Sequence, residues 1–182
     1  INLADAGYDL LAYDLHPGPL DEVAAHGGKK ATSNKEVGAH GDVVCICVLN
    51  GQQMLDVMLG ADGVLASARP NTVVALHSTI EPSIIAQLAE AAKLRQVELI
   101  DAPVSGSETG AKNKTMSYMV GGSTLAFEKC RPVFETSGKS IIHTGGVGTG
   151  IRAKLAHQLI VCVNMLSAYE GMRLGIAAGL KP

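Results

Sequence analysis

Short apolar runs alternate with amphipathic segments along most of the chain. Nearly continuous apolar runs lie at residues 42–49, 71–76 and 97–101, a pattern typical of strands covered on both faces. Between them, apolar residues recur three or four positions apart, which predicts helices. The remaining predictions are helices at 34–39, 52–59, 81–93 and 125–134 and strands at 9–14, 30–32, 115–120 and 140–143. This alternation predicts an α/β fold with a doubly wound, mostly parallel sheet.

One segment is longer than the others. Residues 150–178 keep a helical spacing of apolar positions over about 28 residues, well beyond the mean helix length in globular proteins. The segment is apolar on more than one face, so we expect a helix that lies between two bodies of protein. Its later flanks, which include Leu159, Leu166 and Met172, should be covered by a second, helical domain.

The composition narrows the classes of partner. A formal net charge of −2 gives no reason to expect binding to nucleic acid or to a membrane surface. Outside the periodic helix, no apolar run is long enough to span a membrane. The cysteines lack partners at metal-ligand spacing, so we predict no metal site and expect small core residues in a reducing compartment; they are Cys45, Cys47, Cys130 and Cys162.

Lys154 is the candidate chemical centre. It lies in the first turns of the long helix, directly after the glycine-rich loop 145–150. Periodicity allows a surface lysine whose stem covers apolar residues, and equally a lysine desolvated in a cleft. In the second case burial lowers its pKa and makes it useful as a proton donor or acceptor. His157 and Gln158 lie on the same flank, at i+3 and i+4.

Asp14 ends the predicted strand 9–14. In a dinucleotide-binding fold, a carboxylate at this point accepts hydrogen bonds from ribose hydroxyls. Leu15 and His16 follow and supply no Arg or Lys for a 2′-phosphate, which favours NAD over NADP; the alternative is a solvated turn aspartate. The glycine fingerprint expected about 20 residues earlier would fall before Ile1, and the loop 145–150 has the wrong spacing for it.

Ser105, Gly106 and Ser107 follow the strand that ends at Asp101. Ligands bind at the carboxyl ends of strands in open α/β sheets. Successive backbone N–H groups in this segment, together with the serine hydroxyls, could hold a carboxylate. A tight turn without a ligand is the alternative.

Three stretches together resemble the β-hydroxyacid dehydrogenase family, which includes 3-hydroxyisobutyrate dehydrogenase and tartronate semialdehyde reductase. They are residues 101–106 with 110–111 and 119–122, Ser78-Thr79-x-x-Pro82, and Gly148-x-Gly150-x-x-x-Lys154. The resemblance implies a Rossmann-like fold with Lys154 as the catalytic lysine. It also implies a substrate site and a cofactor site, which we place at Ser105, Gly106, Ser107, His157 and Gln158 and at Asp14, Val48, Leu49, Asn50 and Thr79, respectively.

The chain departs from the family pattern at three places. Ser107 replaces the second glycine after Val-Ser-Gly, residues 114–116 replace Gly-Thr-Leu, and Gln158 replaces the usual asparagine. His157 is similar to the histidine of Lys-x-x-His-Asn in 6-phosphogluconate dehydrogenases. These departures concern the identity of the substrate more than the type of reaction.

The function expected from the resemblance is hydride transfer between NAD and a small β-hydroxy acid or semialdehyde, of the 3-hydroxyisobutyrate or tartronate-semialdehyde type. Lys154 would be the general acid and base. The alternative is a non-catalytic dinucleotide-fold scaffold or interaction module. We expect a homo-dimer or tetramer when the polypeptide is full length, in the cytoplasm or in another reducing compartment such as the mitochondrial matrix.

The expected domain boundary lies at the start of the long helix. Residues 1–149 should form a dinucleotide-binding Rossmann-like domain, incomplete at its N-terminus, and residues 150–182 should open a C-terminal helical domain whose remainder is absent. A strand before Ile1 is expected between residues 10–13 and 43–48. The segment by itself is therefore expected to be poorly soluble and inactive.

Overall fold

Eight strands and eight α-helices alternate over residues 1–181, the part of the chain that this computed structural model describes. The strands are β1 (Leu11–Ala12), β2 (Lys29–Lys30), β3 (Val43–Ile46), β4 (Val73–Leu76), β5 (Glu98–Asp101), β6 (Val104–Ser105), β7 (Met116–Gly121) and β8 (Gly138–Gly145). The helices are α1 (Asn2–Asp5), α2 (Pro17–Ala25), α3 (Asn34–His40), α4 (Gly51–Leu59), α5 (Pro82–Lys93), α6 (Ser107–Lys112), α7 (Thr124–Glu135) and α8 (Thr149–Ala177).

Six of the strands form one sheet in the order β3-β4-β5-β7-β6, with β8 also paired to β7. The pairs β3–β4, β4–β5 and β7–β8 are parallel, whereas β7 runs antiparallel to β5 and β6. All four residues of β4 are buried, because this strand has a neighbour on each edge and apolar clusters on both faces. The predicted α/β fold with a mostly parallel sheet and a long C-terminal helix is confirmed.

A second, two-stranded parallel sheet contains β1 and β2. Within residues 1–181, β1 pairs only with β2 and β3 pairs only with β4. A groove of about 1170 Å³ separates the two sheets, and we call it the β1–β3 groove; its walls include residues 10–16 and 43–49. Within residues 1–181 the strands therefore form two separate sheets.

The open groove explains why the prediction for residues 42–49 and for the cysteines was wrong in part. In β3, Val44 and Ile46 are buried, but Cys45 points to the uncovered side and is exposed. Cys47 is exposed as well, and Cys162 is exposed on α8. Of the four cysteines only Cys130, on α7, lies in the core.

The longer predicted elements are present within a few residues of their expected bounds. Local signals set several starts: Asn50 Oδ1 accepts the N–H of Gln53 at 2.9 Å before α4, and Pro82 begins α5. Pro132 lies inside α7. The short elements β6 and α6 were not predicted, because two and six residues are too few to show a period.

Helix α8 contains 29 residues. Its buried residues are Gly150, Ile151 and Lys154, in the first two turns, where the helix packs on the sheet. The later apolar residues are open: Leu159 is 67% exposed, Leu166 61% and Met172 64%. The sequence predicts a helix that lies between two bodies of protein; in residues 1–181 only the sheet packs against it, at its first two turns. Pro182, the last residue of the predicted 150–182 segment, lies outside the described residues.

By length and composition alone, α8 could also cross a membrane. Its most apolar 18-residue window has a mean hydropathy of 1.2 and is not buried. A single helix of this kind is weak support for a membrane span, since long helices of soluble proteins share the same composition. We assign no membrane role to it.

Candidate active site

Asp101 joins the sheet to the start of α8. This residue ends β5 and is 0% exposed. Its Oδ1 accepts the N–H of Gly148 and its Oδ2 accepts the N–H of Ile151, both at 2.6 Å. Burial raises the pKa of the Asp101 carboxyl, while hydrogen bonds from backbone N–H groups of α8 oppose the rise. The carboxylate therefore satisfies N–H groups that the first turn of a helix otherwise leaves without a partner.

Two glycines let α8 approach the sheet closely. A Cβ at Gly150 would lie 2.5 Å from the carbonyl oxygen of Asp101 and would also meet the carbonyl oxygen of Met119. A Cβ at Gly121 would lie 2.5 Å from Asp101 Oδ1 and 2.7 Å from the backbone nitrogen of Gly150. The first turn of α8 is therefore in backbone contact with β5 and β7, and we call this contact the α8 junction.

Lys154 lies one turn beyond the α8 junction and is 6% exposed. Within residues 1–181, no carboxylate oxygen lies within 4.0 Å of its Nζ atom. Burial lowers the pKa of the Lys154 ammonium below its usual value. Of the two alternatives that the sequence allows, this geometry is that of a desolvated lysine.

His157 and Gln158 continue the same side of α8 and are both half-buried. The Nδ1 atom of His157 is buried and has no hydrogen-bond partner among the described residues. An unpaired buried polar atom costs free energy of folding. Because this atom has no open surface in the structure, a ligand could contact it only after the His157 side chain turns.

The predicted substrate segment lies on the neighbouring strand. Ser105 is in β6 and pairs with Ser117 of β7, two residues before Met119, over which Gly150 packs. The structure thus brings Ser105 and the helix of Lys154 to the same strand. Gly106 has a φ of 134° and Ser107 a φ of 56°; the second value lies in the left-handed region that favours glycine, so the serine side chain is held there against its backbone preference.

The expected cradle of consecutive N–H groups in this segment is only partly present. Ser107 begins α6, and the carbonyl of Gly106 accepts the N–H of Gly110 at 2.7 Å as part of that helix. The side chain of Ser105 is half-buried in a strand pair, whereas Gly106 and Ser107 are exposed. The Ser105 and Ser107 hydroxyls, together with the first N–H groups of α6, are the polar groups offered here.

Most of the predicted cofactor residues lie in one place. A pocket of about 500 Å³ is lined by Leu49, Asn50 and Thr79 and by Leu155, the residue after Lys154. We call it the Thr79 pocket. The structure therefore brings three of the predicted cofactor residues together beside α8, at Leu155; Lys154 itself does not line this pocket.

Ser78 fixes the loop that carries Val48. Its hydroxyl donates to the carbonyl oxygen of Val48 at 2.7 Å and accepts the Val48 N–H at 2.8 Å. These two hydrogen bonds therefore connect the segment that follows β3 with the segment that follows β4. Sequence reasoning assigned no role to Ser78 or to Asp101; the usable signal for Asp101 was a carboxylate at the end of an apolar strand, a position that requires hydrogen-bond partners.

Asp14 lies on the opposite wall of the β1–β3 groove from Val48 and Leu49. It is exposed, and its Oδ1 accepts the N–H of His16 at 2.8 Å. One carboxylate oxygen thus holds the turn after β1, and the other is left for a ligand. Because Leu49 borders both the groove and the Thr79 pocket, the two cavities form a path from Asp14 to Leu155.

Comparisons with known proteins agree with this geometry. A family model described as the NAD binding domain of 6-phosphogluconate dehydrogenase matches residues 1–146. The chain is 38% identical over 180 residues to the NAD-dependent L-serine dehydrogenase of Pseudomonas aeruginosa, covering 99% of this chain. It is 36% identical over 182 residues to the 2-(hydroxymethyl)glutarate dehydrogenase of Eubacterium barkeri, covering 100% of this chain.

A solved structure is similar over the same range. The 3-hydroxyisobutyrate dehydrogenase of Mycobacterium tuberculosis, with L-serine, matches with a TM-score of 0.89 and 32% identity over 99% of this chain. The chain covers 61% of that structure, and 60% of each of the two enzymes above. It thus spans about three fifths of the length of the relatives it matches.

Proposed function

Because this chain belongs to the family of the NAD binding domain of 6-phosphogluconate dehydrogenase, we propose that it is the cofactor domain of an NAD-dependent dehydrogenase of small hydroxy acids. The observation that carries this proposal is Lys154, buried without a carboxylate partner in the described residues, one residue before Leu155 of the Thr79 pocket. The relatives support it, since they are named for L-serine, 2-(hydroxymethyl)glutarate and 3-hydroxyisobutyrate, which are small carboxylic acids that bear a hydroxyl group.

Lys154 acts as the general acid and base. In the oxidation direction, its neutral Nζ accepts the proton of the substrate hydroxyl, and in the reduction direction the ammonium form returns that proton to the carbonyl oxygen. When bound, NAD takes up or supplies the hydride. Burial makes the neutral form of Lys154 easier to reach, because it lowers the pKa of the ammonium.

The cofactor is held by the two walls of the path from Asp14 to Leu155. The free carboxylate oxygen of Asp14 accepts hydrogen bonds from ribose hydroxyls. Asn50 and Thr79 line the Thr79 pocket together with Leu155, the residue after Lys154. Leu15 follows Asp14 and supplies no positive charge for a 2′-phosphate, so we propose NAD and not NADP as the preferred cofactor.

We place the substrate carboxylate at the segment between β6 and α6. Ser105 and Ser107 offer hydroxyl groups beside β7, and Gly106 provides backbone without a side chain. His157 and Gln158, both half-buried on the side of α8 that carries Lys154, are the further proposed substrate residues. The proposed substrate class is therefore a small carboxylic acid with a hydroxyl group near the carboxylate.

Replacing Lys154 tests this proposal in the full-length natural polypeptide. Lys154→Met keeps the length of the side chain and removes the proton acceptor, so kcat should fall by about 10²–10⁴-fold while the Kd for NAD stays the same. Arg152→Ala is the matched control, because Arg152 is exposed two residues earlier on the same helix. The assay is NADH absorbance with a panel of three- and four-carbon hydroxy acids.

The pH dependence of kcat is a second test of the role of Lys154. In the oxidation direction, kcat should rise with pH as Lys154 loses its proton, and it should reach its plateau below the pH at which an ordinary lysine, with a pKa of about 10.4, is neutral. In the reduction direction kcat should fall over the same range. Near-normal turnover of Lys154→Met would contradict the role of Lys154. NAD binding with no activity across the panel would favour the scaffold alternative.

A further inference from the structure

We propose that Asp101 is a positioning residue for Lys154, which it acts on through the backbone of the first turn of α8. This inference rests on the proposed function, because it assumes that Lys154 is the acid and base. Within residues 1–181 the Asp101 carboxylate forms no ion pair with Lys154; its oxygens accept hydrogen bonds from the N–H groups of Gly148 and Ile151.

The first reason is that α8 lacks a cap of its own. The residue at its N-cap position is Gly148, which has no side chain to accept a hydrogen bond. In most helices a Ser, Thr, Asp or Asn at this position accepts an N–H of the first turn. Here the carboxylate of Asp101 does so from β5, 50 residues before Ile151. The sheet, and not the local sequence, therefore determines where the helix begins.

The second reason is the position of Lys154 relative to the bonded residues. Ile151 precedes Lys154 by three residues, so the two lie on the same side of the helix, about 4.5 Å apart along its axis. A hydrogen bond that fixes the backbone of Ile151 thus fixes the adjacent turn that carries the lysine. Both residues are buried, at 0% and 6% exposure.

The third reason is that the carboxylate is enclosed. Asp101 is 0% exposed, and each of its carboxylate oxygens accepts a backbone N–H of the α8 junction. The junction is so close that a Cβ at Gly121 would lie 2.5 Å from Asp101 Oδ1 and a Cβ at Gly150 equally close to the carbonyl oxygen of Asp101. A shift of the carboxylate would therefore shift the first turn of α8, which carries Lys154.

The experiment compares Asp101→Asn and Asp101→Ala with Ser123→Ala in the full-length natural polypeptide. Ser123 is the matched control, because its Oγ accepts the N–H of Ala126 at 3.2 Å and caps α7, away from Lys154. Three quantities are measured: kcat and KM, the Kd for NAD, and the reactivity of Lys154 toward acetic anhydride as a function of pH, read by peptide mass spectrometry.

Asp101→Asn keeps one acceptor oxygen and should lower kcat about tenfold; Asp101→Ala should lower it about 10²-fold, the cost of a misplacement of about 1 Å. The Kd for NAD should stay within about twofold of the wild type. The labelling pKa of Lys154 should rise toward that of ordinary lysines, because a displaced first turn exposes the side chain to water. Ser123→Ala should lower Tm and leave both kcat and the labelling profile unchanged.

A lowered Tm in Asp101→Asn with a wild-type kcat and a wild-type Lys154 labelling profile would overturn the proposal, since Asp101 would then be only a structural cap. If Asp101→Ala does not fold, the near-isosteric Asn variant decides. If the wild type and Lys154→Met are equally inactive on every substrate, the proposed function fails, and the labelling profile still decides whether Asp101 positions Lys154.

Discussion

The α8 junction and the β1–β3 groove differ in how their backbone groups are satisfied. At the junction, the carboxylate of Asp101 accepts hydrogen bonds from N–H groups at the start of α8, and glycines allow direct contact between strand and helix. At the groove, β1 and β3 each leave one edge without a strand partner in the described part of the chain. The His40 side chain links the two sides of the groove: its Nε2 lies 3.1 Å from the carbonyl oxygen of Asp9.

This difference separates the two halves of the proposed site. The position of Lys154 is set by contacts that residues 101–151 make among themselves. The position of Asp14 depends on a small sheet that borders an open groove. We therefore expect the chemistry at Lys154 to be sensitive to small changes at the junction, and the preference for the cofactor to be adjustable at the groove.

The largest expected effect is that of Gly150→Ala at the α8 junction. The added Cβ would meet the carbonyl oxygens of Met119 and Asp101, which are backbone atoms and cannot rotate away. Overpacking of this kind costs about 1–3 kcal/mol, and Tm should fall by about 2–4 °C for each kcal/mol. Thermal unfolding followed by circular dichroism measures the change.

Gly146→Ala is the control for this prediction. A Cβ at Gly146 would meet nothing within 4 Å, so its Tm should change by no more than about 1–2 °C. Equal values of Tm for the two variants would show that the junction is not closely packed, and the comparison between the two regions would lose its basis.

A smaller effect is expected at the groove from Asp14→Asn combined with Leu15→Arg. Asn retains the Oδ1 that accepts the N–H of His16, and Leu15 is 82% exposed, so the turn should survive both changes. The ratio of kcat/KM for NAD to that for NADP should fall by at least about tenfold, measured with the full-length natural polypeptide. Leu15→Ala is the control and should leave the ratio unchanged; a wild type that already prefers NADP would contradict the role of Asp14.

The smallest effect is expected from Cys45→Lys in the isolated 182-residue chain. Unpaired strand edges favour self-association, and a lysine on such an edge opposes it. Cys45 is an exposed residue of β3 on the wall of the groove. Light scattering should therefore begin at a higher protein concentration than in the wild type, whereas Leu94→Lys, at a residue 85% exposed on the end of α5, should have no effect.

Much of the fold could be predicted from the sequence because its longer elements carry their own signals. The buried strand β4 is a continuous apolar run, and α5 and α8 show helical spacing over 12 and 29 residues. What could not be predicted depends on contacts between distant segments. Cys45 and Val44 are both small residues of one strand, and Cys45 is exposed because its face of β3 borders the open β1–β3 groove.

The candidate site shows the same division. Lys154 stood out by its place after a glycine loop, yet the choice between a surface lysine and a desolvated one required the contacts of its helix with the sheet. Asp101 was part of a recognised motif without a role, because its partners Gly148 and Ile151 lie 47 and 50 residues further along. The periodicity of a sequence reflects local structure and does not indicate contacts between residues so far apart in the chain.

The length of α8 determines how far each part of the helix moves when it tilts at the α8 junction. At 1.5 Å per residue the helix is about 43 Å long, and Lys154 lies five residues from its start, about 7.5 Å along the axis. If the helix pivots at the junction by about 5°, its far end moves by about 4 Å, while the backbone of Lys154 moves by about 0.7 Å. A partner bound to the exposed far half of α8 would therefore move several times as far as the lysine near the pivot.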